Sequence, residues 1–327
     1  MQKKITQEEM QRAAKIVSDL DGYYNSKVVG QPFLGASIMV AMITNGHILL
    51  ESVPGLAKTT AANVMTDAVA GTFSRIQCTP DLIPSDIVGT QTYNVATNTF
   101  ENKIGPVFAN FVLLDEINRS SAKTQSAMLE AMQERGVSIG GQTYKLPDVF
   151  VVIATQNPVE QEGTYVLSEA QLDRFLLKVK LDYPKPSDEI EILNRVEADV
   201  FSENHSVATI EDVCFLQELT KRVYLDDAIK KYIVDIVQAS RNTESILPPE
   251  LSQYVTMGAS TRAAIAFMEV AKAVALLNGR NYCTPDDVKA MRYSVLRHRV
   301  MLNFAAVADG VKEESIIDAI IGAVKAP

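Results

Sequence analysis

The stretch His47-Ile48-Leu49-Leu50-Glu51, followed by Ser52-Val53-Pro54-Gly55-Leu56-Ala57-Lys58-Thr59-Thr60, decides the fold. Its first five residues read as a short buried strand. Residues 52–58 then form a tight loop, and residues 59–70 read as a helix that ends at Gly71. Against the phosphate-loop template G-x-x-x-x-G-K-[ST], Lys58 and Thr59 fit, while Ser52 and Ala57 stand where the outer glycines belong. In such a loop, backbone amides at a helix amino terminus cradle phosphate, the lysine neutralises the terminal phosphates and the hydroxyl holds Mg²⁺. Serine and alanine are the two smallest replacements for glycine, and Gly55 leaves the bend some freedom. By itself the match is shared with an ordinary strand–turn–helix junction.

Working outward, the strand signal returns at residues 73–79, 111–114 and 149–153. These runs read as apolar on both faces, as in a parallel sheet covered on both sides. A helix is expected over residues 120–135, with Ala127, Met128, Ala131 and Met132 on one stripe and Gly136 as its stop. A fifth run, 176–181, follows a short helix opened by the capping-box tetrad Ser168-Glu169-Ala170-Gln171. Upstream, one helix is expected over residues 6–21, ended by Gly22, and an apolar one over 32–44. This alternation predicts an α/β layered core. Two stretches interrupt it. Residues 80–108 are long for a connection, and 136–148 read as a β-hairpin turning at Gly140-Gly141.

At Tyr183-Pro184-Lys185-Pro186-Ser187 the prolines make a stiff joint, beyond which the periodicity is helical. Thr284-Pro285-Asp286-Asp287 is a helix start: cap residue, proline in the first turn, then acids. The expected division is residues 1–184, the layered core with its amino-terminal helices, and 185–327, an all-α domain.

Composition narrows the function. The chain has 327 residues, 47% hydrophobic and 22% charged, which excludes a disordered or collagen-like protein. A net charge of −9 argues against a general binder of nucleic-acid backbones. Cys78, Cys214 and Cys283 form no CxxC pair, which suits a reducing compartment. Met1-Gln2-Lys3-Lys4 opens no apolar signal core, and no apolar run is long enough to span a membrane. The expectation is a soluble cytoplasmic protein. His47, His205 and His298 lack zinc-ligand spacing, and His47 reads as packed or hydrogen-bonded. Arg292, Arg297, His298 and Arg299 read as a solvated helix face, with contact to an acidic neighbour subunit as the alternative.

Two further strand ends carry chemistry. Phe111-Val112-Leu113-Leu114 runs into Asp115-Glu116. Asp115 is placed to hold the water shell of Mg²⁺ opposite Thr59, and Glu116 to polarise a water for attack on the γ-phosphate. The alternative is that both acids cap the next helix. Val151-Val152-Ile153-Ala154-Thr155-Gln156-Asn157 ends beside them, where Asn157 is placed to position that water, or simply to make the turn before Pro158.

At this point the chain resembles the AAA+ ATPases, and specifically the MoxR family, from Val29-Gly30-Gln31 to its carboxy end. The pieces are Pro54-Gly55-Leu56-Ala57-Lys58-Thr59, Leu114-Asp115-Glu116-Ile117-Asn118-Arg119, Ala154-Thr155-Gln156-Asn157-Pro158, Ser168-Glu169-Ala170-Gln171-Leu172-Asp173-Arg174-Phe175 and Gly258-Ala259-Ser260-Thr261-Arg262-Ala263. The resemblance implies an AAA+ P-loop αβα sandwich with a parallel sheet, followed by a smaller all-α lid. It implies ATP and Mg²⁺ as cofactors. Val53, Pro54, Gly55, Leu56, Ala57, Lys58, Thr59 and Thr60 would surround the phosphates, with Thr59 and Asp115 on the metal, the latter through water. Lys58, Glu116 and Asn157 would act on the γ-phosphate. Arg174 looks like the arginine finger that reaches a neighbouring subunit's nucleotide; Arg119 is a rival, and a surface ion pair with Asp173 the bland alternative. Arg262 looks like sensor 2, or a helix-cap arginine. Val29, Gly30 and Gln31 resemble the adenine segment, or a turn before the next helix. Ala57 is usual for the family, whereas Ser52 departs from its glycine.

Residues 80–108 resemble the helix-2 insert and residues 136–148 the insert before sensor 1, both directed toward a central pore. Tyr93, Phe100 and Tyr144 are then candidate pore contacts, or core aromatics. The resemblance further implies a homo-hexameric ring, chaperone-like work on client proteins, and partners with von Willebrand factor A domains. Two other readings stay open. One is a nucleotide-gated scaffold with little turnover, motivated by Ser52; the other is a nucleic-acid-stimulated motor, opposed by the acidic charge.

Overall fold

Five strands build the central sheet: β1 (Ile48–Glu51), β2 (Phe73–Gln77), β3 (Phe111–Asp115), β4 (Val151–Gln156) and β5 (Leu177–Lys180). The computed structural model describes residues 4–53, 55–157, 165–198 and 205–327. The strand order is β2-β3-β4-β1-β5, and the β2–β3, β3–β4 and β4–β1 pairs are parallel. Registers Gln77↔Asp115, Leu114↔Ala154 and Glu51↔Gln156 bring the carboxy ends of four strands to one edge. Residues 111–114 and 151–154 are buried on both faces, as near-continuous apolar runs require. Each valine, leucine, isoleucine and phenylalanine among them contributes roughly 1.5–3 kcal/mol on burial.

The chain divides into two units. One comprises Ser18–Phe175 and Val179–Phe215, the other Met1–Val17, Leu176–Lys178 and Leu216–Pro327. The first holds most of the sheet and two hairpins. The second is helical, with an antiparallel pair, Val255–Met257 with Met301–Leu302, added to its helices. Its core gathers Val223, Phe267, Val295 and Ile316, and Arg222 bonds Glu9 at 2.7 Å. Among the described residues, no helix is long and apolar enough to cross a membrane.

Several local expectations are corrected. Helix α1 (Gln7–Lys27) runs through Gly22 instead of stopping there. A side chain at Gly22 would meet nothing within 4 Å, so the glycine lies on an open surface, and the buried Tyr23 and Tyr24 that follow continue the helix. Helix Ala122–Glu134 ends in a left-handed Arg135, φ 54°, not at Gly136. The Arg135 guanidinium is held there by the Phe150 carbonyl (2.7 Å) and Asn45 Oδ1 (2.9 Å). Strand β2 is not covered on both faces. It is the edge strand, only Ile76 is buried, and Arg75 and Gln77 alternate outward. The basic cluster at 292–299 is no solvated face. Arg299 and His298 are buried, Arg299 donates to the carbonyls of Leu176 and Val295, Arg297 pairs with Glu314 at 2.7 Å, and Arg292 pairs with Asp318 at 2.9 Å.

The interruption at 80–108 holds a short helix, Pro84–Val88, and a hairpin pairing Gly89–Asn94 with Thr99–Ile104. Tyr93 and Phe100 face each other across it, ring centroids 5.2 Å apart, and both are exposed. The second hairpin pairs Gly136–Ile139 with Gln142–Lys145, turning on Gly140 and Gly141, both at positive φ. Its Tyr144 packs on the core and edge-on to Phe108.

His47, at the head of β1, is buried and accepts a hydrogen bond on Nδ1 from the Val152 amide (3.0 Å); its Nε2–H then donates to the Met132 carbonyl (3.3 Å). Burial first, and the charge of Arg135 second, hold its pKa down to about 3 from 6.5. The native state therefore refuses a proton that the unfolded chain accepts. Stability from this site is full above 6.5 and falls as pH drops from 6.5 toward 3, by about 1.4 kcal/mol per pH unit. Urea unfolding across that window should show a shallower loss in His47→Asn than in the parent protein. Equal slopes in both would contradict this role for the imidazole.

Candidate active site

The loop after β1 is anchored by Leu56, which is buried, and by two left-handed residues, Gly55 at φ 86° and Ala57 at φ 52°. Alanine pays steric strain in that conformation where glycine pays none. The turn launches helix α3 (Lys58–Ala68), which follows α1 and the apolar helix α2 (Pro32–Thr44) along the chain. Ala61, Ala62, Met65 and Ala68 are buried, and the small size of the three alanines lets the helix lie close on the sheet. Its first-turn amides have no partners within the helix and present a partial positive charge.

That helix end borders a cavity of about 830 Å³, of a size that suits a nucleotide. Gly55, Leu56, Ala57, Lys58, Thr59 and Thr60 line it. Asp115, Glu116 and Asn157 line it from the ends of β3 and β4. Sheet order explains the convergence, because β4 lies between β3 and β1. Of the segment expected at the adenine, Val29 lines the cavity, whereas Gly30 and Gln31 do not, and of the phosphate loop Val53 does not. Gln31 instead donates to the Asp182 carbonyl at 3.1 Å. Pro54 lies outside the described residues, as does Pro158. Ser52 is buried, and its hydroxyl finds no partner among the described residues.

The two acids are held firmly. Asp115 Oδ2 accepts from Arg75 Nη2 at 2.6 Å and Oδ1 from the Thr155 hydroxyl at 2.9 Å. The same hydroxyl accepts the Glu116 amide at 2.9 Å. Thr155 is fully buried, so one side chain fixes both the carboxylate and the backbone beside it. Glu116 itself is left-handed, φ 58°, a strained conformation of the kind that gathers at functional sites. Its Oε2 accepts from Gln77 Nε2 at 3.3 Å and pairs with Arg119 Nε at 3.0 Å. Burial pushes the Asp115 carboxyl up, but the bonds from Arg75 and Thr155 outweigh it and leave the group below the usual carboxylate range. Burial lowers the Lys58 ammonium, partly offset by the charges of Asp115 and Glu116.

The candidate arginines sit elsewhere. Arg174 lies outside this cavity, in a separate, smaller pocket with Glu130, Glu134 and Gln171. Arg262 is in the first turn of the helix Thr261–Leu277, whose cap Ser260 accepts the Arg262 amide at 3.0 Å. It belongs to the other unit.

An ammonium, helix-end amides, a hydroxyl and two acids around one nucleotide-sized cavity can bind and cleave a phosphoanhydride. Comparison with known proteins gives the same answer. Residues 47–177 match the family model for the ATPase family associated with various cellular activities (AAA), and residues 251–320 match that for the AAA lid domain. Chaperone MoxR1 of Mycobacterium tuberculosis is 44% identical over 92% of this chain and 79% of its own. The chain belongs to the MoxR family of AAA+ ATPases. YeaC of Bacillus subtilis is also 44% identical, over 93% of both chains. A crystal structure of a candidate ATPase from Cytophaga hutchinsonii superposes with a TM-score of 0.92 at 42% identity, covering 98% of this chain and 97% of that one. The MoxR-family fold expected from the sequence, an AAA core with a parallel sheet and a helical lid, is therefore the one observed, and the protein is an ATPase.

Sequence reasoning missed several cavity residues of this MoxR-family site. Arg75 and Gln77 sit two apart on an edge strand, so they share a face, and a strand with polar residues at that spacing was a readable signal. Asn63 and Asp67 follow Thr59 at four-residue intervals on α3 and extend its stripe down the cavity. Lys27, Ile192 and Val196 arrive from distant segments. No local pattern marks them.

Proposed function

We propose that this ATPase couples Mg²⁺-dependent ATP hydrolysis to the remodelling or maturation of client proteins, working as a homo-hexameric ring. The observation that carries the reading is the convergence of Lys58, Thr59, Asp115, Glu116 and Asn157 on one cavity. Thr59 and Asp115 offer the hard oxygen donors that Mg²⁺ takes, and the ion would neutralise charge on the phosphates. Lys58 would bind the terminal phosphates. Glu116 would take a proton from a water that Asn157 orients. Val29 would lie against the base, with Gly30 and Gln31 shaping its turn.

The position of Arg174 outside its own chain's cavity supports a finger delivered to a neighbour, since a guanidinium suits the charge that develops on a transferring phosphoryl group. Arg119 pairs with Glu116 of its own chain, which favours Arg174 over it. A finger given across a head-to-tail interface favours a closed ring. Arg262 would report the nucleotide to the helical lid, with residues 1–184 as nucleotide core and 185–327 as lid. The Mycobacterium tuberculosis relative named a chaperone supports work on client proteins. Partners with von Willebrand factor A domains and a cytoplasmic location complete the proposal.

Arg174→Ala should bind ATP normally and lose turnover, by roughly a thousandfold. Mixed with Glu116→Gln subunits, it should recover part of its activity, because an intact finger then faces an intact glutamate. Mixed rings with no recovery would contradict delivery across the interface.

A further inference from the structure

Both oxygens of the Asp115 carboxylate already hold a partner. Its Oδ2 takes the Arg75 guanidinium at 2.6 Å, and its Oδ1 takes the Thr155 hydroxyl. Arg75 comes from the edge strand β2, is half exposed and lines the same cavity as Lys58 and Thr59. Gln77, next on that face, braces the pair by accepting from Arg75 at 3.4 Å and donating to Glu116 at 3.3 Å. A guanidinium in this position supplies to the carboxylate the positive charge that a divalent ion, held directly or through its water shell, would otherwise supply. Both cannot hold it at full strength.

We infer that Arg75 is an internal counter-ion of Asp115 that a divalent cation must displace, so that it sets how strongly Mg²⁺ promotes nucleotide binding. This rests on the reading of Asp115 as a metal-site residue. Arg75 is a positioning residue here; it acts through the carboxylate. Removing it frees Oδ2 and takes a positive charge away from the metal position, and both effects favour the cation. The exposure of the pair keeps the gain moderate, roughly three- to tenfold.

The test measures binding of a fluorescent, non-hydrolysable ATP analogue to the whole chain, once with excess EDTA and once with excess Mg²⁺. The ratio of the two affinities is the coupling. Arg75→Gln should raise that ratio over the parent protein, and Arg75→Lys, which keeps the charge without the planar fork, should raise it less. Asp115→Asn should abolish the coupling, and adding Arg75→Gln to it should then change nothing. A ratio unchanged or lowered in Arg75→Gln overturns the inference while the metal site stands. Weaker binding in EDTA at an unchanged ratio also overturns it, and makes Arg75 a phosphate ligand. A parent protein whose binding ignores Mg²⁺ overturns the metal site and the inference together.

Discussion

Glu116→Gln should hold ATP and release almost no phosphate, with turnover down roughly a hundred- to ten-thousandfold. The substitution keeps the side chain's size and its place at the cavity wall. It also keeps the left-handed backbone, because the hydrogen bond to the Thr155 hydroxyl is donated by the main-chain N–H of residue 116 and not by its side chain. What it removes is the ability to accept a proton from water. The bonds from Gln77 and Arg119 both land on Oε2, so the charge is also lost to its partners, but these lie at a partly exposed surface and contribute little to stability. Phosphate release and nucleotide binding measured side by side decide the matter. Equal release from variant and parent would remove Glu116 from the chemistry and revive the reading of a scaffold that gates on nucleotide without hydrolysis.

Lys58→Met should weaken ATP binding by roughly a hundredfold, equivalent to about 3 kcal/mol. The cavity wall carries two acids, Asp115 and Glu116, next to the place where the anion would lie. Lys58 is the cation on the helix end that opposes them, and burial makes its ammonium costly to keep charged unless an anion is near. Methionine preserves the apolar stem and removes the charge. Thermal unfolding should barely change, which separates a binding defect from a folding one. Calorimetric titration giving an affinity within about twofold of the parent would place the phosphates elsewhere.

What could be read from the sequence follows the reach of each signal. The strands β1, β3 and β4 are buried on both faces, so their apolar runs stand out, and the chemistry follows them: Asp115 and Asn157 come where two of the runs break, and Lys58 opens the helix beyond the loop after β1. Helix α2 begins with Pro32 and is apolar at nearly every position, and its bounds were legible for that reason. Gly22 and Gly136 misled because glycine permits a helix end without requiring one; packing of Tyr23 and Tyr24, and the side-chain bonds of Arg135, decided where the chain turned. The arginines at 292–299 misled in the same way, since charge suggests solvent until carbonyls and carboxylates are found around it. The outward face of Arg75 was legible from its spacing with Gln77, but not its partner, because the pairing with Asp115 lies forty residues away and only the β2–β3 register creates it.

The central claim is that a triphosphate lies between the amino end of α3 and the acids ending β3. A crystal structure of the chain with a non-hydrolysable ATP analogue and Mn²⁺ tests it most directly, because Mn²⁺ takes the oxygen sites of Mg²⁺ and marks itself by anomalous scattering. The account predicts the manganese peak between the Thr59 hydroxyl and the Asp115 carboxylate, with the terminal phosphate against Lys58. A nucleotide bound outside that cavity, or a metal peak away from both residues, would contradict it.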